Sequence, residues 1–122
     1  MHTTPQLLPV LERSKRAYLL WSDYHQTLPK TRRYTLGGKI DGLFIDIIES
    51  MVAASFLPRG DKLPQIRLAI RKLDTLKILL MVLWESKSID TKKYGALSEV
   101  LQEIGKMLGG WYRGLESKVP AP

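Results

Sequence analysis

Three features of the chain predict an all-α fold, an antiparallel up-down-up-down four-helix bundle. Apolar residues recur every three or four positions through four segments. Three short breaks marked by proline, glycine or a capping residue separate them. No stretch alternates apolar and polar residues as a half-buried strand would. Short connections between helices of similar length favour antiparallel neighbours. Residues 1–122 read as one domain with a single core, with helices at about 9–27, 30–56, 64–87 and 91–117.

The first helix opens at Pro9, where a missing N–H is harmless. Leu11, Ala17, Leu20, Trp21, Tyr24 and Leu28 supply its apolar side, and Arg13, Lys15 and Arg16 cluster near its start. Positive charge in a first turn opposes the helix dipole, so helix stability alone does not explain that cluster. Leu28-Pro29-Lys30 forms the first break.

The second helix turns Tyr34, Ile40, Leu43, Phe44, Ile47, Ile48, Met51, Val52 and Ser55 inward. Gly37, Gly38 and Gly42 weaken its early part, each by about 1 kcal/mol against alanine. A kink or a closely approaching backbone explains them, and close approach is the preferred expectation. Leu57-Pro58-Arg59-Gly60-Asp61 makes the second break, with Asp61 as a cap.

The third helix organises the fold. Ile66, Ala69, Ile70, Leu73, Leu76, Leu80, Leu83 and Trp84 fall on one broad face. Arg67, Arg71, Asp74 and Thr75 make the opposite face polar in its first half only. From Ile78 to Trp84 seven apolar residues run consecutively, so Ile78, Leu79 and Val82 point away from the stripe. With Leu68 they are assigned to self-association, since a small domain encloses little.

Asp90 or Ser88 caps the last helix, which turns Tyr94, Leu97, Leu101, Ile104, Leu108, Trp111 and Leu115 inward. Gly105 and Gly109, like Ala96 and Val100, are four apart, a spacing that admits a neighbouring helix. The tail SKVPAP is expected to be loose.

Composition narrows the function. Without cysteine there are no disulfides or thiolate metal sites. The start, MHTTPQLLPVLERSKR, lacks the pattern of a secretory signal, and no apolar run reaches the ~20 residues of a membrane span. A soluble, cytoplasmic protein is expected. The formal net charge is +7. Residues 1–72 hold twelve Lys and Arg against six Asp and Glu, and residues 73–122 hold seven against six. Such asymmetry points to a polyanion or an acidic protein surface, although net charge also serves solubility alone.

No catalytic set emerges. His2 and His25 have no metal-ligand spacing, and no Glu-x-x-His of the di-iron bundles occurs. Gly-x-Ser-x-Gly and phosphate-cradling glycine loops are missing, and Gly37-Gly38 follows no strand. Some helical ribonucleases carry an arginine four to six residues before a histidine, and His25 has none there. The chain is read as not an enzyme, without cofactor or metal. Binding remains, through Lys30, Arg32 and Arg33 beside Tyr34, and through Arg67, Arg71 and Lys72 beside the outer apolar strip. The bland alternative is a solvated face with Arg71 paired to Asp74.

Two stretches carry a resemblance. LPKTRRYTLGGKIDGLFIDIIESMVAAS resembles the second helix of the four-helix-bundle proteins encoded in intervening sequences of 23S ribosomal RNA genes. LDTLKILLMVLWESKSIDTKKYGALSEVLQEIGKMLGGWYRGL is similar to the accessory variability determinant (Avd) proteins of diversity-generating retroelements. Their last helix ends in Gly-x-x-Leu-Gly-x-Trp, which Gly105-Lys106-Met107-Leu108-Gly109-Gly110-Trp111 resembles. The resemblance implies a pentameric barrel with a basic surface, a homo-oligomer binding the element's reverse transcriptase and its RNA or cDNA in mutagenic retrohoming, with no catalysis of its own. It places contacts on Arg67, Arg71 and Lys77 of the third helix and Arg32 and Arg33 of the second. Arg13 and Arg16 join them as basic candidates on charge alone. Gly37-Gly38 departs from the family pattern. The alternative function is a protein–protein interaction module of the intervening-sequence type with no nucleic-acid role.

Overall fold

A computed structural model describes residues 7–118. The expectations for His2, the first six residues and the end of the tail (119–122) lie outside the described residues. Four long helices, α1 (Leu7–Gln26), α3 (Leu36–Ser55), α4 (Arg59–Glu85) and α5 (Thr91–Glu116), and a single turn, α2 (Lys30–Arg33), make up nearly all of it. No strand occurs among the described residues. Consecutive long helices pack on one another, and α1 closes on α5. Between α3 and α4, Lys72 bonds Asp46 at 2.9 Å and Lys62 donates to the Ala54 carbonyl at 2.6 Å.

The core follows the helical stripes. Trp21 and Phe44 stack at 6.0 Å, Tyr18 meets Phe44 edge-on, and Leu73, Leu76, Leu80 and Leu83 of α4 are buried with Leu97, Leu101, Ile104 and Leu108 of α5. Side chains at i, i+3, i+4 and i+7 share a face, so sequence periodicity places them there. Two expected core residues are instead outside: Tyr34 is 71% exposed and Val52 41% exposed.

The second predicted helix is divided. α2 ends at Arg33, Tyr34 caps it still in the right-handed region, Thr35 leaves helical geometry, and α3 starts at Leu36. The freed Arg33 carbonyl accepts from His25 Nε2 at 2.9 Å. A Cβ on Gly37 would stand 2.9 Å from the Arg32 carbonyl oxygen and 2.9 Å from His25 Cδ2. Close approach therefore holds at Gly37, together with a break. At Gly42 a Cβ would meet nothing within 4 Å.

The third predicted helix starts five residues earlier than expected, at Arg59, with Pro58 as its N-cap. Asp61 is no cap but lies in the first turn, where its charge suits the positive end of the dipole. Pro64 sits inside the helix and forfeits only its bond to the Gly60 carbonyl. α4 ends at Glu85, where Lys87 adopts a left-handed φ of 63°. Lys87 N–H then bonds the Trp84 carbonyl and Ser88 N–H the Leu83 carbonyl, the pattern that closes a helix C-terminus. Asp90 caps α5 by accepting from Lys93 N–H at 2.8 Å.

Candidate nucleic-acid interface

The arginines expected to bind fall on three separate places. On α1, Arg13 forms an ion pair with Glu103 of α5, and Arg16 is exposed without an ion pair among the described residues. At α2, Arg32 is exposed, but Arg33 bends back, donating to the Leu28 carbonyl at 3.0 Å. Its Nε is buried without a hydrogen-bond partner. That guanidinium holds the connection between α1 and α3 and offers a partner little.

The third place is the seam of α4 and α5. Arg67 donates from Nε to the Tyr112 hydroxyl at 3.2 Å, with its guanidinium 5.5 Å from the ring centre. Accepting by Tyr112 favours the charged form and moves the Arg67 pKa further up. Arg71 points outward and makes no ion pair among the described residues, so the pairing with Asp74 is not formed. Lys77 is half-buried in a groove of about 320 Å³ that Lys106 and Arg113 of α5 also line. Sequence reading missed Lys106 and Arg113. Their signal lay in the same Gly105–Gly109 spacing, which was read as room for a helix.

Those glycines have a local use. A Cβ on Gly105 would lie 3.3 Å from Lys77 Nζ and 3.4 Å from Leu73 Cδ2. One on Gly109 would lie 3.2 Å from an Arg113 guanidinium nitrogen. Without Cβ atoms there, both cations can lie along the α5 backbone.

The apolar strip is equally distinct. Ile78 is 56% exposed, Val82 45% and Leu68 38%, whereas Leu79 is half-buried against the core. Leu68, Arg71, Thr75, Ile78 and Val82 follow helical spacing, so they form one outward stripe. Ile45 and Val52 of α3 and Phe56, its C-cap, form a second exposed stripe, of which Val52 was expected inward.

Two other features lie apart from these surfaces. His25 stacks on Trp21 at 5.1 Å with Asp41 3.8 Å from its Nδ1, and among the described residues no three acids or histidines gather as metal ligands. A wider cleft of about 710 Å³, beside Thr27 and Trp84, mixes Glu85 and Asp90 with Lys87 and Lys93. Its charges balance, so it selects no anion.

Among the described residues no helix is long and apolar enough to cross a membrane. No protein-family model matches the chain, and no curated protein or solved structure matches it.

Proposed function

We propose that this chain is a non-catalytic accessory protein of a diversity-generating retroelement. It acts as a cytoplasmic homo-oligomer that binds the element's reverse transcriptase and its RNA or cDNA. One observation carries the reading: α4 turns Leu68, Ile78 and Val82 outward in the same stripe as the unpaired Arg71. Apolar side chains gain by leaving water, at roughly 25 cal/mol per Å² buried, so a second copy is the occupant assigned to the strip. Cations beside it add through counterion release when a phosphate backbone binds. The antiparallel up-down-up-down order belongs to the proposal, favoured by the short connections and by the α3–α4 bonds above. The subunit number, five, and the partner polymerase are what the resemblance to the accessory variability determinant proteins implies.

Val82→Asp places a charge in the strip without touching the core. Its mass by light scattering should fall to 13.9 kDa with unchanged far-ultraviolet circular dichroism. An undiminished mass would remove this interface. Wild-type protein should retard single-stranded RNA at low salt and release it as salt rises. Assembly without such binding would favour the interaction module of the intervening-sequence type.

A further inference from the structure

The seam of α4 and α5 holds a concentration of positive charge that the fold itself does not neutralise. Lys77, Lys106 and Arg113 line one groove of about 320 Å³, and Asp74 is the single carboxylate lining it. None of the three cations makes an ion pair among the described residues. Elsewhere between helices, Arg13 meets Glu103 and Lys72 meets Asp46. Cations crowded in one groove repel one another, and an anion seated among them relieves that repulsion.

The walls are shaped for the purpose. Lys77 Nζ lies so near α5 that a Cβ on Gly105 would approach it to 3.3 Å, and Arg113 lies as closely over Gly109. The floor is apolar, with Leu73 and Ile70, so half-buried Lys77 lies against a low-dielectric surface, while Lys106 and Arg113 remain exposed to solvent. Arg67 extends the positive edge along α4, held by Tyr112 of α5.

We infer that the α4–α5 groove over Gly105 and Gly109 is a phosphodiester seat, in which Lys77, Lys106 and Arg113 grip the backbone of a single-stranded RNA. This rests on the nucleic-acid part of the function proposed above and locates it away from α1 and α2. Lysine acts there as a point charge, while the Arg113 fork spans two phosphate oxygens. Asp74 at the rim opposes binding.

The test is the salt dependence of RNA binding, followed by fluorescence anisotropy with an unstructured single-stranded RNA. Three variants are compared with wild type, each checked for an unchanged thermal melt. The groove variant is Lys77→Gln/Lys106→Gln/Arg113→Gln. A charge-matched control is Lys39→Gln/Lys92→Gln/Lys118→Gln, exposed lysines outside the groove. The groove variant should lower the log–log salt slope by about 2, since each single-strand phosphate contact contributes about 0.7. The control should leave the slope near that of wild type. Asp74→Asn should tighten binding by about two- to fivefold.

Gly105→Ala guards against a mere folding effect, because it keeps every charge, improves the helix and pushes Lys77 from its place. It should weaken binding while the melting temperature holds or rises. Equal slope losses in groove and control variants overturn the seat, as does an unchanged slope in the groove variant. Tighter binding of polyglutamate than of RNA, abolished by the groove variant, overturns it in favour of an acidic protein. A wild type that binds no RNA at low salt removes the nucleic-acid reading itself.

Discussion

The two flanks of α5 treat positive charge in opposite ways. Toward α1, Glu103 takes the guanidinium of Arg13, and Lys93 lies over the Tyr24 ring. Toward α4, Lys77, Lys106 and Arg113 surround a groove with only Asp74 against them. Both flanks belong to one helix and rest on the same buried row, Leu97, Leu101, Ile104 and Leu108. The difference teaches that the +7 excess is not a diffuse coat. Part of it is consumed in holding helices together, and part is left concentrated where α5 lacks side chains.

The comparison breaks most completely when the floor of the α4 flank is removed. Leu73 is 1% exposed and packs against the Gly105 backbone. Leu73→Ala should cost about 2–5 kcal/mol in urea unfolding, through lost burial and the cavity left behind. A cost below about 1 kcal/mol would mean that the groove floor is not packed as described.

Glycines sharpen it next. Gly37→Ala drives a Cβ into the Arg32 carbonyl and should destabilise by about 1–3 kcal/mol, since backbone cannot yield as a lysine tip can. Gly42→Ala meets nothing and should stabilise by about 0.5–1 kcal/mol. The same unfolding curves read both, and a reversed order would contradict the approach of α1 to α3.

A smaller effect tests the ion pair on the α1 flank. Arg13 and Glu103 are both more than a third exposed, so a double-mutant cycle with alanine should give about 0.2–1 kcal/mol, fading as salt is added. Coupling that survives at high salt would show a pair more sheltered than this one.

Smallest are the alkaline effects. Burial, with the Asp41 carboxylate second, raises the Tyr18 pKa above 10.0. The fold therefore prefers the protonated phenol, and that preference is whole below about pH 10 and lost as pH climbs through the raised value. Burial lowers the Lys62 pKa below 10.5, so its penalty is full at neutral pH and shrinks as pH rises toward 10.5. Tyr18→Phe should flatten the alkaline fall in melting temperature, and Lys62→Met should steepen it. Parallel curves for all three proteins would mean that neither side chain is buried as described.

Legibility in the chain followed the range of the forces. The α5 span, 91–117 expected and 91–116 found, rests on local periodicity and on Asp90 reaching Lys93 N–H three residues away. The start of α4 was misplaced because proline opens helices more often than it sits at a sixth position, and nothing local marks Pro64 as the exception. The α2–α3 break was half legible: the glycines announced close contact. The partners that set the break, His25 and Leu28, come from the end of α1 and the turn after it. Tyr34 and Val52 were assigned inward because a stripe read along one helix has no knowledge of where the neighbouring helices end.

The sequence by itself determined the four long helices, their core stripes, the excess of cations and the outward Ile78 and Val82. Each of these depends on spacing within about two turns, where helical geometry is nearly invariant. Only tertiary structure decided which cations meet a carboxylate of another helix, whereas Lys15 meets Glu12 one turn away on α1. Arg13 and Glu103 are 90 residues apart, and no local rule pairs them or leaves Lys77 and Arg113 in one groove without an ion pair among the described residues. Coulomb energy depends on distance through space, and helix packing alone sets that distance.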